Sequence, residues 1–434
     1  MIKSIERPIS WVQQTATPFI LSRWWLVILL LIPLTKPTIL EYLSGGWALI
    51  DMALTVLKVV SFLIIIAMYI CRKKVSSFVL AFVGFQIVRL VVSIFNNNGG
   101  IWKHSVSIVT ILALVLLCEL LVTYSAKLFL KSWAILISAY IAVNFILLLF
   151  FPNGMAKSDY YNYSVNFISI DNYLIPCFLF GLLVVILYSE YLRGYITTWA
   201  YLLMACTVVT MLMVWSAGGM IGLFLFLIGL PFVYWEKTRR FVRVSILSIV
   251  YVVLTVGLVF FRVQNIFAFF IEDVLHKSLT LTGRTLMWDQ AFELIQKSPL
   301  IGYGIAERGH IFFNNKFQYG HNVVIELLLT SGIIGLIAFI VLCVVVGRKL
   351  YKSQEHRWSS LATWCVFSIF FVMLIESYFH VSYFNLILIT AYFIPEIVKQ
   401  HEVDKPNLLN YGKPTKFILW WQKVKPKWQG KKNA

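Results

Sequence analysis

The chain has 434 residues, of which 60% are hydrophobic and only 13% charged, yet its formal net charge is +18. Soluble domains run near about 45–50% apolar with about 25% charged residues. A mean hydropathy of +0.82 over this length therefore excludes a soluble protein, and with it the nucleic-acid binder that a pI near 9.6 would otherwise suggest. What remains is an all-α polytopic membrane protein. The six cysteines (Cys71, Cys118, Cys177, Cys206, Cys343 and Cys365) lie in or beside apolar segments, which argues against a disulfide framework. No CxxC or His/Cys cluster with metal-ligand spacing appears.

In chain order, apolar stretches of roughly 20 residues, the length of a bilayer span, fall at 18–34, 52–70, 75–95, 104–124, 133–151, 174–189, 196–215, 220–235, 244–261, 322–346, 358–377 and 383–398. The pattern predicts ~12 transmembrane helices. It divides the chain into helices 1–9 over residues 1–261, a large helical extracytoplasmic loop over 262–321, helices 10–12 over 322–398 and a basic cytoplasmic tail over 399–434. No small-residue cleavage site follows the first span, so it reads as a retained helix. An even number of spans puts both termini on one side. Arg72-Lys73-Lys74, the Lys237–Arg243 and Arg348–Arg357 clusters and the tail lysines all fall on that side, which the positive-inside rule makes cytoplasmic.

Two segments on the opposite side are long. Residues 152–173 are rich in Tyr, Asn and Ser, including Asp159-Tyr160-Tyr161-Asn162-Tyr163; this composition suits either sugar stacking or an interfacial aromatic belt. The second runs over 262–320, and so long an insertion among short loops points to function. The tail interleaves Trp420, Trp421 and Trp428 with lysines and reads as lying on an anionic leaflet.

Chemistry concentrates in the second loop. Trp288, Phe292 and Ile295 recur at helical spacing, so 285–297 reads as an amphipathic helix stopped before Pro299. Arg284 stands at its N-terminus, where unpaired amides and a guanidinium make a natural place for a phosphate or diphosphate. Pairing of Arg284 with a loop carboxylate is the plainer alternative. His321 precedes Asn322 at the start of a membrane helix, a position that disfavours imidazolium and suits a proton acceptor. A lone interfacial histidine is also commonly structural. Lys58 and Arg89 lie inside predicted spans, about 9 Å from the outer end at 1.5 Å per residue. With Glu326, Glu376 and His380 they make a set of embedded polar groups biased to the outer side. Arg89, and Arg308 in the loop, are candidate further anion ligands; the plainer reading of Arg89 is a buried ion pair with a glutamate.

The segment 278–339 resembles the signature of the bacterial O-antigen polymerase/ligase superfamily, the Wzy-type polymerases and WaaL-type ligases. The residues that carry the resemblance are Gly283-Arg284-Thr285, Pro299-Leu300-Ile301-Gly302-Tyr303-Gly304, His321-Asn322, Glu326, and Gly332 with Gly335. The resemblance implies a GT-C-like fold and sugar transfer with inversion from an undecaprenyl-diphosphate-linked oligosaccharide. It implies Arg284 as ligand of the donor diphosphate and His321 as the base, with Gly283, Thr285, Gly302, Gly304, Asn322 and Glu326 in support. The family's Ser-Arg-Gly corresponds here to Ser216-Ala217-Gly218, without the arginine.

A bacterial inner-membrane polymerase of lipid-linked repeat units is the reading these features favour, metal-independent and with its site on the extracytoplasmic side. Its implied partners are the donor lipid, membrane lipids and a chain-length regulator protein, and no nucleic acid. An O-antigen ligase differs from it only in the acceptor. A transporter or flippase would explain the helices and embedded charges but leaves the motif-bearing loop without a reason.

Overall fold

The computed structural model of the chain describes residues 12–72, 74–96, 101–158, 163–259, 261–262, 283–306 and 308–409. Asp159 to Asn162, the tail tryptophans and the first part of the long loop lie outside them. The helices are α1 (Val12–Leu21), α2 (Trp24–Leu34), α3 (Gly46–Ile70), α4 (Ser77–Phe95), α5 (Ile101–Tyr124), α6 (Ala126–Phe150) and α7 (Leu174–Arg193). There follow α8 (Thr198–Val214), α9 (Ala217–Tyr234), α10 (Val244–Val259), α11 (Arg284–Lys297), α12 (Val323–Lys352), α13 (Arg357–Val372) and α14 (Ser382–Leu409). Two small antiparallel hairpins complete the fold: β1 (Ala156–Lys157) with β2 (Ser164–Val165), and β3 (Ile311–Phe313) with β4 (Lys316–Gln318).

Each of the expected apolar segments falls on a helix, as a bilayer requires of a chain that must satisfy its own backbone. By length and hydropathy seven of the described helices can cross a membrane (α3–α7, α9 and α12), and the pair α1–α2 makes an eighth. The first expected span is not one straight helix: it bends by 86° at Ser22-Arg23. Helices α8, α10 and α13 are shorter than a full span.

Apolar burial does not separate inside from outside as it would in water. Almost every side chain of α7 from Leu174 to Leu187 is buried, and α14 is buried over Phe384–Ile394. Helix α3 instead leaves Leu49, Met52, Val56, Val59 and Leu63 more than half exposed, and α10 buries only Leu247 and Val259. These outward apolar faces belong against lipid tails. At the lysine- and arginine-rich end, two buried carboxylates are matched by cations, Glu119 by Arg72 at 2.9 Å and Glu190 by Arg357 at 3.1 Å, and the half-buried Glu396 pairs with Lys349 at 2.5 Å.

Helix α12 is broken. Gly332 adopts φ 60°, ψ −164° within it, which frees backbone groups in the middle of an apolar helix. The loop after α11 repairs the break: Ile333 N donates to Pro299 O at 2.9 Å, Ile334 N to Leu300 O at 3.3 Å, and Tyr303 N to Leu329 O at 2.7 Å. Irregular backbone at this depth is tolerated because it is paired within the protein. Ile305 N donates to Ser93 Oγ at 2.9 Å, which ties the same loop to α4. The described part of the loop after α11 is therefore docked into the helix bundle, and its β3–β4 hairpin is an element that the sequence pattern did not announce.

Candidate active site

Helix α11 begins at Gly283, whose φ of +86° no side chain adopts readily and whose hydrogen faces the Phe313 ring of the hairpin. Thr285, Met287, Trp288 and Ala291 are buried on the inward face of α11. The last three pack with Ile311, Ile325 and Leu329 into a small core of their own, which holds α11 against the hairpin and α12. The indole Nε1 of Trp288 donates to Gly320 O at 2.8 Å. That bond fixes the start of α11, and so Arg284, beside the residue that precedes His321.

Hydrogen bonds and an uncommon backbone conformation shape the His321 segment. Gly320 N donates to Glu326 Oε2 at 2.6 Å. His321 itself takes a left-handed backbone, φ 45°, uncommon for a residue with a side chain. Asn322 caps α12 by accepting from Val324 N at 2.9 Å and Ile325 N at 3.1 Å. Its amide also donates to Leu374 O at 2.9 Å, and Val323 N donates to Met373 O at 3.2 Å. The start of α12 is thereby stitched to the turn after α13, the turn that carries Glu376.

Glu376 is where the site closes. Its side chain is 5% exposed, and Oε1 accepts from the Arg284 guanidinium and from Asn172 Nδ2 at 3.0 Å. Its Oε2 lies 3.2 Å from His321 Nδ1. Behind Asn172, Ser216 Oγ donates to Asn172 Oδ1 at 2.7 Å, and Tyr378 OH donates to Asn172 O at 2.8 Å. Its negative charge is faced by Arg284 and by His321. The same negative charge, after burial, pushes the phenols of Tyr173 and Tyr378 well above theirs. Burial is also the main cause at His380, with Arg89 and His104 adding; its imidazole is pushed down to about 3 and is neutral.

Several residues singled out in the sequence meet here. Arg284 and His321 share one carboxylate, Asn322 and Glu326 set the backbone on either side of the histidine, and Ser216 reaches the cluster through Asn172. Gly283 and Thr285 place α11, whereas Gly302 and Gly304 belong to the loop docked in the α12 break. Arg89 is 3% exposed, donates to Gln86 Oε1 at 2.8 Å and stacks 4.8 Å from the Phe379 ring. It lies beneath the Glu376 turn, within electrostatic reach of Glu326. No ion pair within 4.0 Å joins Arg89 to a carboxylate among the described residues. Lys58 stands on the outward-facing helix α3, and Arg308 is exposed on the loop before β3.

Sequence reasoning did not place Asn172, the bond from Trp288 to Gly320 or the bridging role of Glu376. Glu376 was visible as an embedded carboxylate, but no spacing connects residues 284, 321 and 376; only the stitching of α12 to the α13 turn does.

Fold and site together define a polytopic membrane protein with an arginine–carboxylate–histidine centre at the end of the bundle opposite its basic end. Residues 200–340 match the family described as Wzy_C: O-Antigen ligase. Over these residues the match supports the resemblance to the O-antigen polymerase/ligase superfamily. It is similar, at 31% identity over 114 residues, to a ComP-specific O-oligosaccharyltransferase of Acinetobacter baylyi. That similarity covers 24% of this chain, which thus spans about a fifth (20%) of the relative's length. No solved structure matches the chain. The family match contains Ser216, Arg284, His321 and Glu326, whereas Arg89, Asn172 and Glu376 lie outside it.

Proposed function

We propose that this protein transfers sugar, with inversion, from an undecaprenyl-diphosphate-linked oligosaccharide, and that it joins repeat units into a longer polysaccharide. The observation that carries the reading is the convergence of Arg284 and His321 on Glu376 from separate elements. In this reading the acceptor hydroxyl approaches His321, which takes its proton while the oxygen bonds the anomeric carbon of the donor. The bond from that carbon to the diphosphate oxygen breaks, and its electron pair leaves with the diphosphate. Arg284 and the amides at the start of α11 stabilise the charge that accumulates on the leaving group. They do so without a metal in this proposal.

Arg284 is the direct ligand. Arg89 adds positive charge from beneath the turn, and Arg308, on the exposed loop, is a further contact for the anion. The site is extracytoplasmic, with both termini on the cytoplasmic side of a bacterial inner membrane, because the opposite end of the bundle carries the basic clusters. A chain-length regulator is a partner in this scheme.

A second reading, transfer of a finished glycan to a different acceptor, is favoured by the ligase description of the matched family and by the printed name of the relative. One experiment separates the two. Purified protein incubated with a lipid-linked repeat unit yields a ladder of products if it polymerises, and a single adduct on an added lipid A-core acceptor if it ligates. His321→Ala with undiminished product would contradict the base assignment, and Arg284→Ala with unchanged donor affinity would contradict the diphosphate assignment.

A further inference from the structure

Arg284 and His321 are given separate tasks above, yet in the structure they are not independent, since both are held by one buried carboxylate. We propose that Glu376 is a positioning residue with two successive partners: it holds Arg284 while the site is empty, and is left to His321 once a diphosphate takes the guanidinium. The proposal rests on the transfer reading for its second half, although the first half concerns only anion binding.

The geometry supports each step. Arg284 is mostly buried, and an unpaired guanidinium there would be costly, so a carboxylate partner is expected in the empty state. A diphosphate offers the same guanidinium more charge and more acceptor oxygens than one carboxylate, and it takes the fork. Glu376 does not lose its place when Arg284 leaves. Asn172 still donates to Oε1, and Asn172 is itself held by Ser216 and Tyr378. His321 Nδ1 remains against Oε2. A proton on Nδ1 shared with that oxygen leaves the Nε2 lone pair for the acceptor hydroxyl. When Nε2 takes the hydroxyl proton, the imidazolium formed has the carboxylate beside it and no longer competes with Arg284 for its charge. Donor binding thus prepares the base. Tyr163, Tyr173, Tyr378 and His380 also face the carboxylate; the phenols are held protonated and His380 neutral, so Arg284 and His321 are the groups that can compete for its charge.

The test compares Glu376→Gln and Glu376→Asp with wild type in nanodiscs, measuring affinity for undecaprenyl diphosphate and turnover of a lipid-linked repeat unit. Glu376→Gln removes the competitor for Arg284 and the charge behind His321. It is expected to bind the lipid diphosphate about tenfold more tightly while turnover falls about 100-fold or more. Glu376→Asp keeps the charge but draws it back by one methylene. It is expected to lower kcat with little change in KM for the donor. It also serves as the second measurement if the glutamine variant does not fold. Weaker lipid-diphosphate binding in Glu376→Gln, or kcat unchanged in both variants, overturns the proposal. A wild type that transfers no sugar removes the transfer reading, and the binding comparison then decides the Arg284 half alone.

Discussion

Gly302 and Gly332 meet backbone to backbone. A Cβ on Gly302 would stand 2.5 Å from the Leu329 carbonyl oxygen and 2.8 Å from the Gly332 amide nitrogen, and both glycines have positive φ, +64° and +60°. This contact lets a loop from outside the bundle fill the break in α12. Gly302→Ala and Gly332→Ala should each cost about 3 kcal/mol or more, the sum of a strained backbone and a clash with main chain. Thermal unfolding in detergent checks this. Gly84, exposed on α4 with no atom near its absent Cβ, supplies the control: Gly84→Ala should be neutral or slightly stabilising.

Trp288 reaches across to Gly320 O with a buried N–H. Trp288→Phe keeps most of the packing and leaves that carbonyl without its donor, a cost of about 1–3 kcal/mol. Because the bond sets the residue before His321, turnover should fall while donor affinity changes little. Equal losses in both would mean that Trp288 serves α11 as a whole and not the histidine.

Arg89 lies under the Glu376 turn, stacked on Phe379. Arg89→Met preserves bulk and removes the charge. Donor binding should weaken a few-fold, less than for Arg284→Ala, and salt should narrow the difference little because the charge is buried. Donor affinity equal to wild type in a folded Arg89→Met protein would remove Arg89 from the anion site.

His310, just before β3, is pushed down to about 4 by burial. An imidazole whose folded value lies below its unfolded one binds its proton more readily when unfolded. Its contribution to stability is therefore full above about 6.5 and is lost as pH falls from there towards 4. Wild-type thermal stability should decline across that window, and His310→Phe should flatten the decline.

Much of the fold is legible because a bilayer leaves little choice. Once a segment such as 174–189 must cross hydrocarbon, only a helix satisfies its backbone, and the expected segments fall on helices, the first of them on a bent pair. Composition therefore determined the class, the placement of the helices and the end of the bundle where cations gather. The local pattern also gave α11 correctly and marked Arg284 and His321, because helix-start chemistry is written in consecutive residues.

What the linear pattern could not hold is any relation that depends on which helices are neighbours. The bend at Ser22-Arg23 and the break at Gly332 are stabilised by partners far along the chain, and hydropathy averages over both. Asn172, Arg284, His321 and Glu376 are scattered over the sequence and come together because Asn322 ties α12 to the turn after α13 and Trp288 ties α11 to Gly320. The apolar composition excluded water as the solvent; the tertiary structure decided that one of the cations behind the net charge of +18, Arg284, faces a carboxylate it shares with a histidine.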